Sequence, residues 1–224
     1  MKLLELPSGE ELTIGHLLVR LEPKEAPRLD QAIELAERMI RGRYPSPSAL
    51  TQDPIVQAYR KFFWRLGIDP TKRRVSSEAL VRRWLRKGFP RISPLIDAYN
   101  LASALSLVPI SGFDADKLAP PLTLRRASPG EEFSATDGSP VRLSGGELLL
   151  VDREGRVLAM IMHRDSSVAA LSDDSRRALF ICYGCPGVPE ARIREALSLL
   201  RQYLALVASL SVEAEGLTRC GMPR

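Results

Sequence analysis

The spacing of apolar positions changes about halfway along this chain. Up to residue 106 they recur mostly at three- and four-residue steps, which puts side chains on one face of a helix. One exception comes first. LTIGHLLVRL, within residues 11–21, is apolar and partly β-branched and predicts a strand closed by Pro23. Leu29, Ile33, Ala36, Met39 and Ile40 then predict a helix over 28–41, stopped by Gly42. YPSPSALTQDP reads as a turn-rich connector. Asp53 as cap and Pro54 in the first turn open a second helix, with Ile55, Tyr59, Phe62, Phe63 and Leu66 on its inner face. Ser76 or Ser77 is placed to cap a third helix over 78–87, ended by Gly88. Ser93 and Pro94 start a fourth, whose buried stripe is Leu95, Ala98, Leu101, Ala102 and Leu105.

After Asp114 the runs shorten. LTLRRA, PVRLS, ELLLVD, RVLAMIM and RALFICYG are separated by Gly, Pro and turn sequences such as TDGS and DREG. They predict strands of a mostly antiparallel sheet, with a hairpin turn at 152–155. Pro189 starts a closing helix to about residue 211, with Ile193, Leu197, Leu200, Leu204 and Val207 inside. EGLTRCGMPR reads as a loosely held tail. Early helices, late strands and a closing helix make an α+β protein with the sheet flanked by helices. The expected organisation is an N-terminal α/β extension over 1–70 packed on the core, a main domain over 71–212 and the tail over 213–224.

A length of 224 residues, 45% of them apolar, suits one domain with an extension. No apolar run is long enough for a membrane span, and MKLLELPSGEEL does not read as a signal peptide. Three cysteines make no disulfide framework, which points to a reducing cytoplasm. Charge changes the picture more. Between Arg60 and Arg91, eleven Lys and Arg face only Asp69 and Glu78, so this stretch carries +9 of a net +5 and the remainder, at −4, is mildly acidic. A basic block on an acidic body suits a polyanion such as RNA; the plain alternative is a solvated helix face. Arg73, Arg74, Arg82, Arg83 and Arg86 are the candidate RNA-backbone contacts. Trp64 and Trp84 flank the block, and Trp84 could stack on a base or sit in the core.

Two stretches carry candidate chemistry. On the fourth helix, Asp97 and Asn100 precede a Gly-Phe-Asp turn ending at Asp114. The two acids suit capping of neighbouring turns. The Asn100 amide both donates and accepts, which suits an ammonium group or a ribose hydroxyl. HRDS, residues 163–166, ends a strand. Alternation places His163 and Asp165 on one face and Arg164 and Ser166 on the other. Arg164 could hold a carbonyl or phosphate with Asp165 orienting it, or the two could form a structural pair. CYGC lacks the second ligand pair a zinc site needs, and no phosphate-binding glycine loop exists, so neither metal nor cofactor is expected.

PRISPLIDAYNLASALSLVPISGFDADKL resembles the start of the B3/B4 domain of the bacterial phenylalanyl-tRNA synthetase β subunit. Ile96-Asp97-Ala98-Tyr99-Asn100 matches the family's V-D-x-x-N, and Pro109-Ile110-Ser111-Gly112-Phe113-Asp114 matches P-L-H-A-F-D. LTLRRASPGEEFSATDG and ELLLVDREGRVLAMIM follow in the family's order, over roughly residues 76–185. The resemblance implies a free-standing B3/B4-like domain. Its synthetase relatives use the domain to hydrolyse mischarged tyrosyl-tRNA. The partners implied are tRNA, aminoacyl-tRNA or a free amino acid in the cytoplasm, with no membrane. Carried onto this chain, Asn100 and Ser111 would be catalytic, and Phe113, Ala159, Met160, Arg164, Asp165 and Ser166 would bind substrate. The R-D-S run itself is common in free-standing members. The family's His falls on Ser111, its Gly on Met160, which narrows the pocket, and a late Glu near Ile181. Two main classes therefore stay open: an aminoacyl-tRNA ester hydrolase, and a non-catalytic RNA- or protein-binding module on the same fold. A small-molecule enzyme built around Arg164 and Asp165 is a third.

Overall fold

A computed structural model describes residues 3–7, 9 and 11–223. They run through strands β1 (Leu4–Glu5) and β2 (Leu12–Pro23), then helices α1 (Pro27–Arg43), α2 (Pro47–Thr51), α3 (Pro54–Arg65), α4 (Ser76–Lys87) and α5 (Pro94–Ser106). Strands β3 (Ile110–Asp114), β4 (Leu122–Arg126), β5 (Glu132–Ser134), β6 (Pro140–Arg142), β7 (Leu148–Val151) and β8 (Val157–Met160) follow. Strands β9 (Arg164–Asp165) and β10 (Arg177–Gly184), helix α6 (Glu190–Val207) and strand β11 (Ala208–Cys220) come last. The α+β class and the mostly antiparallel pairing are as the sequence predicts.

Two larger sheets organise these elements, beside the two-stranded antiparallel pair β5-β6. One is antiparallel, in the order β11-β2-β10-β3; the other runs β1-β4-β7-β8-β9, with only β1 parallel to its neighbour. Residues of one hydrophobic core come from both sheets and all six helices. Helix α6 lies close against the first sheet because β2 has no side chain at Gly15. A Cβ there would come within 2.8 Å of Ile193 and 3.1 Å of Leu197. Alternation along β3 and β10 then turns Ser111, Phe113, Ile181 and Tyr183 to the face away from α6. The predicted extension is woven into this arrangement, since β2 is hydrogen-bonded between β11 and β10.

Several local differences have physical causes. The expected turn after α5 is instead the buried strand β3. The helix ends at Leu107 in a left-handed conformation (φ 59°), and the short apolar run that follows is paired with β10. Full burial removes the alternation that would have marked it as a strand. The predicted loose tail is β11, paired with β2 along its length around one bulge, with Cys220 buried at its end. The closing helix accordingly stops at Val207. The connector after Tyr44 contains α2, capped by Ser46 accepting from the Ala49 amide. Neither Ser76 nor Ser77 caps α4, which starts behind Val75; the Ser77 hydroxyl donates to the Leu107 carbonyl at 2.8 Å. Ser93 precedes α5 without a side-chain capping bond.

Candidate functional site

The two sheets meet where β3 passes β9. The Ser111 hydroxyl, on the inner face of β3, donates to Oδ1 of Asp165 at 2.6 Å. The Gly112 amide lies near enough to favour the charge of the same carboxylate. Among the described residues no Lys, Arg or His lies within ion-pair distance of Asp165. Its neighbour Arg164 is exposed and turns the other way, to Asp137 at 3.2 Å and Ser139 at 3.3 Å. Burial without a cation pushes the Asp165 carboxyl up to about 7, against the pull of Ser111 and Gly112.

Asp165 forms part of the wall of a cleft of about 320 Å³. Ile92 just before α5 and Ile96 and Tyr99 on its first turns make one side, and Ala170 and Leu171 another. The turn carrying Thr136 and Asp137 closes the third. It is held there by the Thr136 amide donating to the Asp165 carbonyl at 3.2 Å. Gly112 lets the Leu171 wall approach β3, since a Cβ on it would come within 2.6 Å of the Leu171 side chain. Beneath Ser111, the Tyr183 hydroxyl is buried within electrostatic reach of Ser111 and Asp165. Among the described residues it has no hydrogen-bond partner. Burial and the Asp165 charge raise the pKa of both Tyr183 and Tyr99, so both phenols stay protonated donors.

The predicted site residues divide accordingly. Ser111 and Asp165 come together. Ala159 and Met160 are buried on β8, paired in register with Asp165 and Arg164, behind the cleft rather than on its lining. Phe113 is fully buried in the core. Ser166 is buried and caps the following turn by accepting from the Val168 amide. Asn100 is half-buried next to Tyr99, and the lining is made by Tyr99 and Ile96 instead. Asp97 is tied to Arg91 (2.8 Å) and the Ile92 amide (2.9 Å), and Asp114 likewise caps its own turn. Tyr99, Tyr183, Thr136 and Asp137 escaped the sequence reading. Tyr99 lies inside the V-D-x-x-N match and was its available signal; the others are brought in by sheet pairing.

The remaining candidates are structural or split. Trp84 is buried in an edge contact with Phe89 (centroids 4.7 Å apart), whereas Trp64 is 57% exposed on α3. Arg73 and Arg82 are engaged by Glu147 (2.6 Å) and Glu78 (2.8 Å), while Arg74, Arg83 and Arg86 are exposed. The His163 ring donates from Nδ1 to the Arg74 carbonyl at 2.8 Å. No cluster of three or more His, Cys, Asp or Glu suited to a metal exists among the described residues, and all three cysteines are buried thiols. No helix among the described residues is long and apolar enough to cross a membrane.

An α+β domain with a small mixed polar and apolar cleft at the junction of its two sheets is the class defined so far. The model of the B3/4 domain family matches residues 58–202, well over half of the chain, and the chain belongs to that family. It is 36% identical over 115 residues to the phenylalanine–tRNA ligase beta subunit of Nocardia farcinica, covering 50% of this chain and 14% of that one. With the corresponding subunit of Neisseria meningitidis it shares 30% identity over 116 residues, covering 52% and 15%. The chain thus spans about a seventh of the length of these curated relatives. Among solved structures it is similar to an N-terminal fragment of the phenylalanyl-tRNA synthetase beta subunit from Pyrococcus horikoshii. That similarity is 17% identity and a TM-score of 0.47, covering 92% of this chain and 50% of that one.

Proposed function

We propose that this protein is an editing-like domain that takes the aminoacyl end of a tRNA into the cleft and hydrolyses its ester bond. The observation that supports this best is the Ser111–Asp165 hydrogen bond at the cleft wall, with no cation on the carboxylate. Ile92, Ile96, Tyr99 and Leu171 offer an apolar surface to an amino-acid side chain. The Asp137 carboxylate, already shared with Arg164, suits the substrate ammonium. Asp165 acts as general base. It takes a proton from a water that adds to the ester carbonyl, and the ribose oxygen leaves with that proton. A positioned base of this kind is worth about 10²–10⁴ in rate. Ser111 orients the carboxylate. The same cleft would hold a free amino acid as product, and a tRNA partner would place the protein in the cytoplasm.

The non-catalytic reading is favoured by two departures from the family pattern, Ser111 in place of its His and the loss of its late Glu near Ile181. Release of amino acid from a panel of mischarged tRNAs separates the two. Turnover of at least one species, reduced 100-fold or more by Asp165→Asn, is expected. No release from any species would leave binding alone.

A further inference from the structure

The basic block divides into two sets with different fates. Arg60 and Arg82 both meet Oε1 of Glu78, each at 2.8 Å, and Arg73 meets Glu147 at 2.6 Å. Both acids are almost fully buried, so these three cations are consumed in holding α3, α4 and the 144–147 turn together. Arg74, Arg83, Arg86 and Lys87 are exposed, with no acidic partner among the described residues, and they surround a groove of about 410 Å³. The C-terminal end of the α4 dipole accounts for Arg86 and Lys87, which lie in its last turn. It does not account for Arg74 before the helix or for Arg83 in its middle. Four cations converging on one concavity repel one another and gain from an anion of matching length.

The groove also says what kind of anion. Its only apolar lining residue is Ala79, which leaves nothing to insert into a bilayer or to grip an apolar helix. It is joined to the cleft through the backbone. The His163 ring bonds the Arg74 carbonyl, the Ser76 amide donates to the Met162 carbonyl at 2.8 Å, and Asp165 lies two residues beyond His163. The groove and the cleft are thus built on segments tied to each other by these two bonds.

We propose that the Arg74–Arg83–Arg86–Lys87 groove binds the phosphodiester backbone of a helical RNA end whose 3′ terminus enters the cleft. The groove stands on its own geometry; the identity of that end as an aminoacyl acceptor rests on the function proposed above. The test uses a synthetic RNA minihelix with a single-stranded 3′ tail, followed by fluorescence anisotropy across salt concentrations. With about four phosphate contacts, log K should fall with log salt at a slope of about −3. Arg83→Glu/Arg86→Glu should bind at least tenfold more weakly at roughly 0.1 M salt and lose about 2 from that slope. Arg83→Ala/Arg86→Ala serves if the reversed pair does not fold. Lys24→Glu/Arg153→Glu, the same charge change outside the groove, should keep most of the affinity. Equal weakening by both pairs, or binding to anionic phospholipid vesicles without RNA binding, overturns the groove. Groove-dependent binding without ester hydrolysis keeps the groove and removes the cleft reading. Hydrolysis with affinity indifferent to Arg83 and Arg86 does the reverse.

Discussion

Asp114 at the end of β3 and Asp165 at the end of β9 are chemically the same group in two different settings. Asp114 accepts from the Ser175 hydroxyl at 2.8 Å and the Asp116 amide at 3.2 Å, and Lys117 stands 3.2 Å away. Burial opposes its charge, but these donors together hold its carboxyl below the ordinary value. Asp165 has a hydroxyl, an amide and no cation, and burial wins. One carboxylate is spent on fixing a turn. The other is kept near neutrality at a cleft. What separates them is the company each backbone supplies, not the residue type.

The largest test of this contrast removes the structural acid. Asp114→Ala leaves the buried Ser175 O–H without its acceptor and opens the turn after β3, and should cost about 2–3 kcal/mol. In a chain of this size that is a fall of roughly 5–10 °C in Tm by calorimetry. The loss should depend on pH in a definite sense. A carboxyl lowered in the folded state stabilises above its unfolded pKa of about 3.9 and stops doing so as pH falls through the folded value. The gap between wild type and variant should therefore narrow in acid. A gap that persists unchanged at pH 2 would mean that the contribution of Asp114 is not ionic.

Asp165 should give the opposite sign. Its folded pKa lies above the unfolded one, so its contribution to stability is fully present below about pH 4 and is lost as pH rises through about 7. Asp165→Asn keeps an acceptor for Ser111 and has no charge to bury. It should be more stable than wild type by about 1–2 kcal/mol at pH 8, with no advantage at pH 3.5. Urea midpoints at the two pH values decide this. A variant less stable than wild type at pH 8 would mean that the carboxylate has a partner that offsets its burial. Gained stability with lost deacylation is the expected signature of a group kept at the cleft for chemistry.

How much of this contrast is readable from sequence follows from its causes. Helices α1, α3, α4 and α5 are legible because half-buried helices keep a periodic apolar stripe, and the turn residues around 152–155 mark the β7–β8 hairpin. The strands β3 and β11 are not, for opposite reasons: β3 is buried throughout, and β11 is largely exposed and held by backbone pairing with β2. At the site, the P-I-S-G-F-D and H-R-D-S matches named both Ser111 and Asp165 but could not show that they touch. They are 54 positions apart and belong to different sheets. Asn100 was favoured for its chemistry, yet helix phase gives the cleft wall to Tyr99. The basic block was visible as composition. Its division was not, because Glu78 and Glu147 select their arginines through tertiary contacts.

The finest test concerns the hydroxyl that distinguishes Asp165 from an isolated buried acid. Ser111 donates to the charged carboxylate, so it favours ionisation against burial. Ser111→Ala removes that donor and should raise the Asp165 pKa further, by about half a unit to one unit for a hydrogen bond worth about 1 kcal/mol. If Asp165 is the base, the rising limb of the deacylation rate should move from near pH 7 upward by that amount. The rate at pH 7 would fall about two- to fivefold and recover near pH 9. This profile separates orientation from attack. A nucleophilic serine would cost 100-fold or more at every pH, because alanine has no oxygen to form an acyl intermediate. A shifted but recoverable limb makes Ser111 a positioning residue and leaves Asp165 to move the proton.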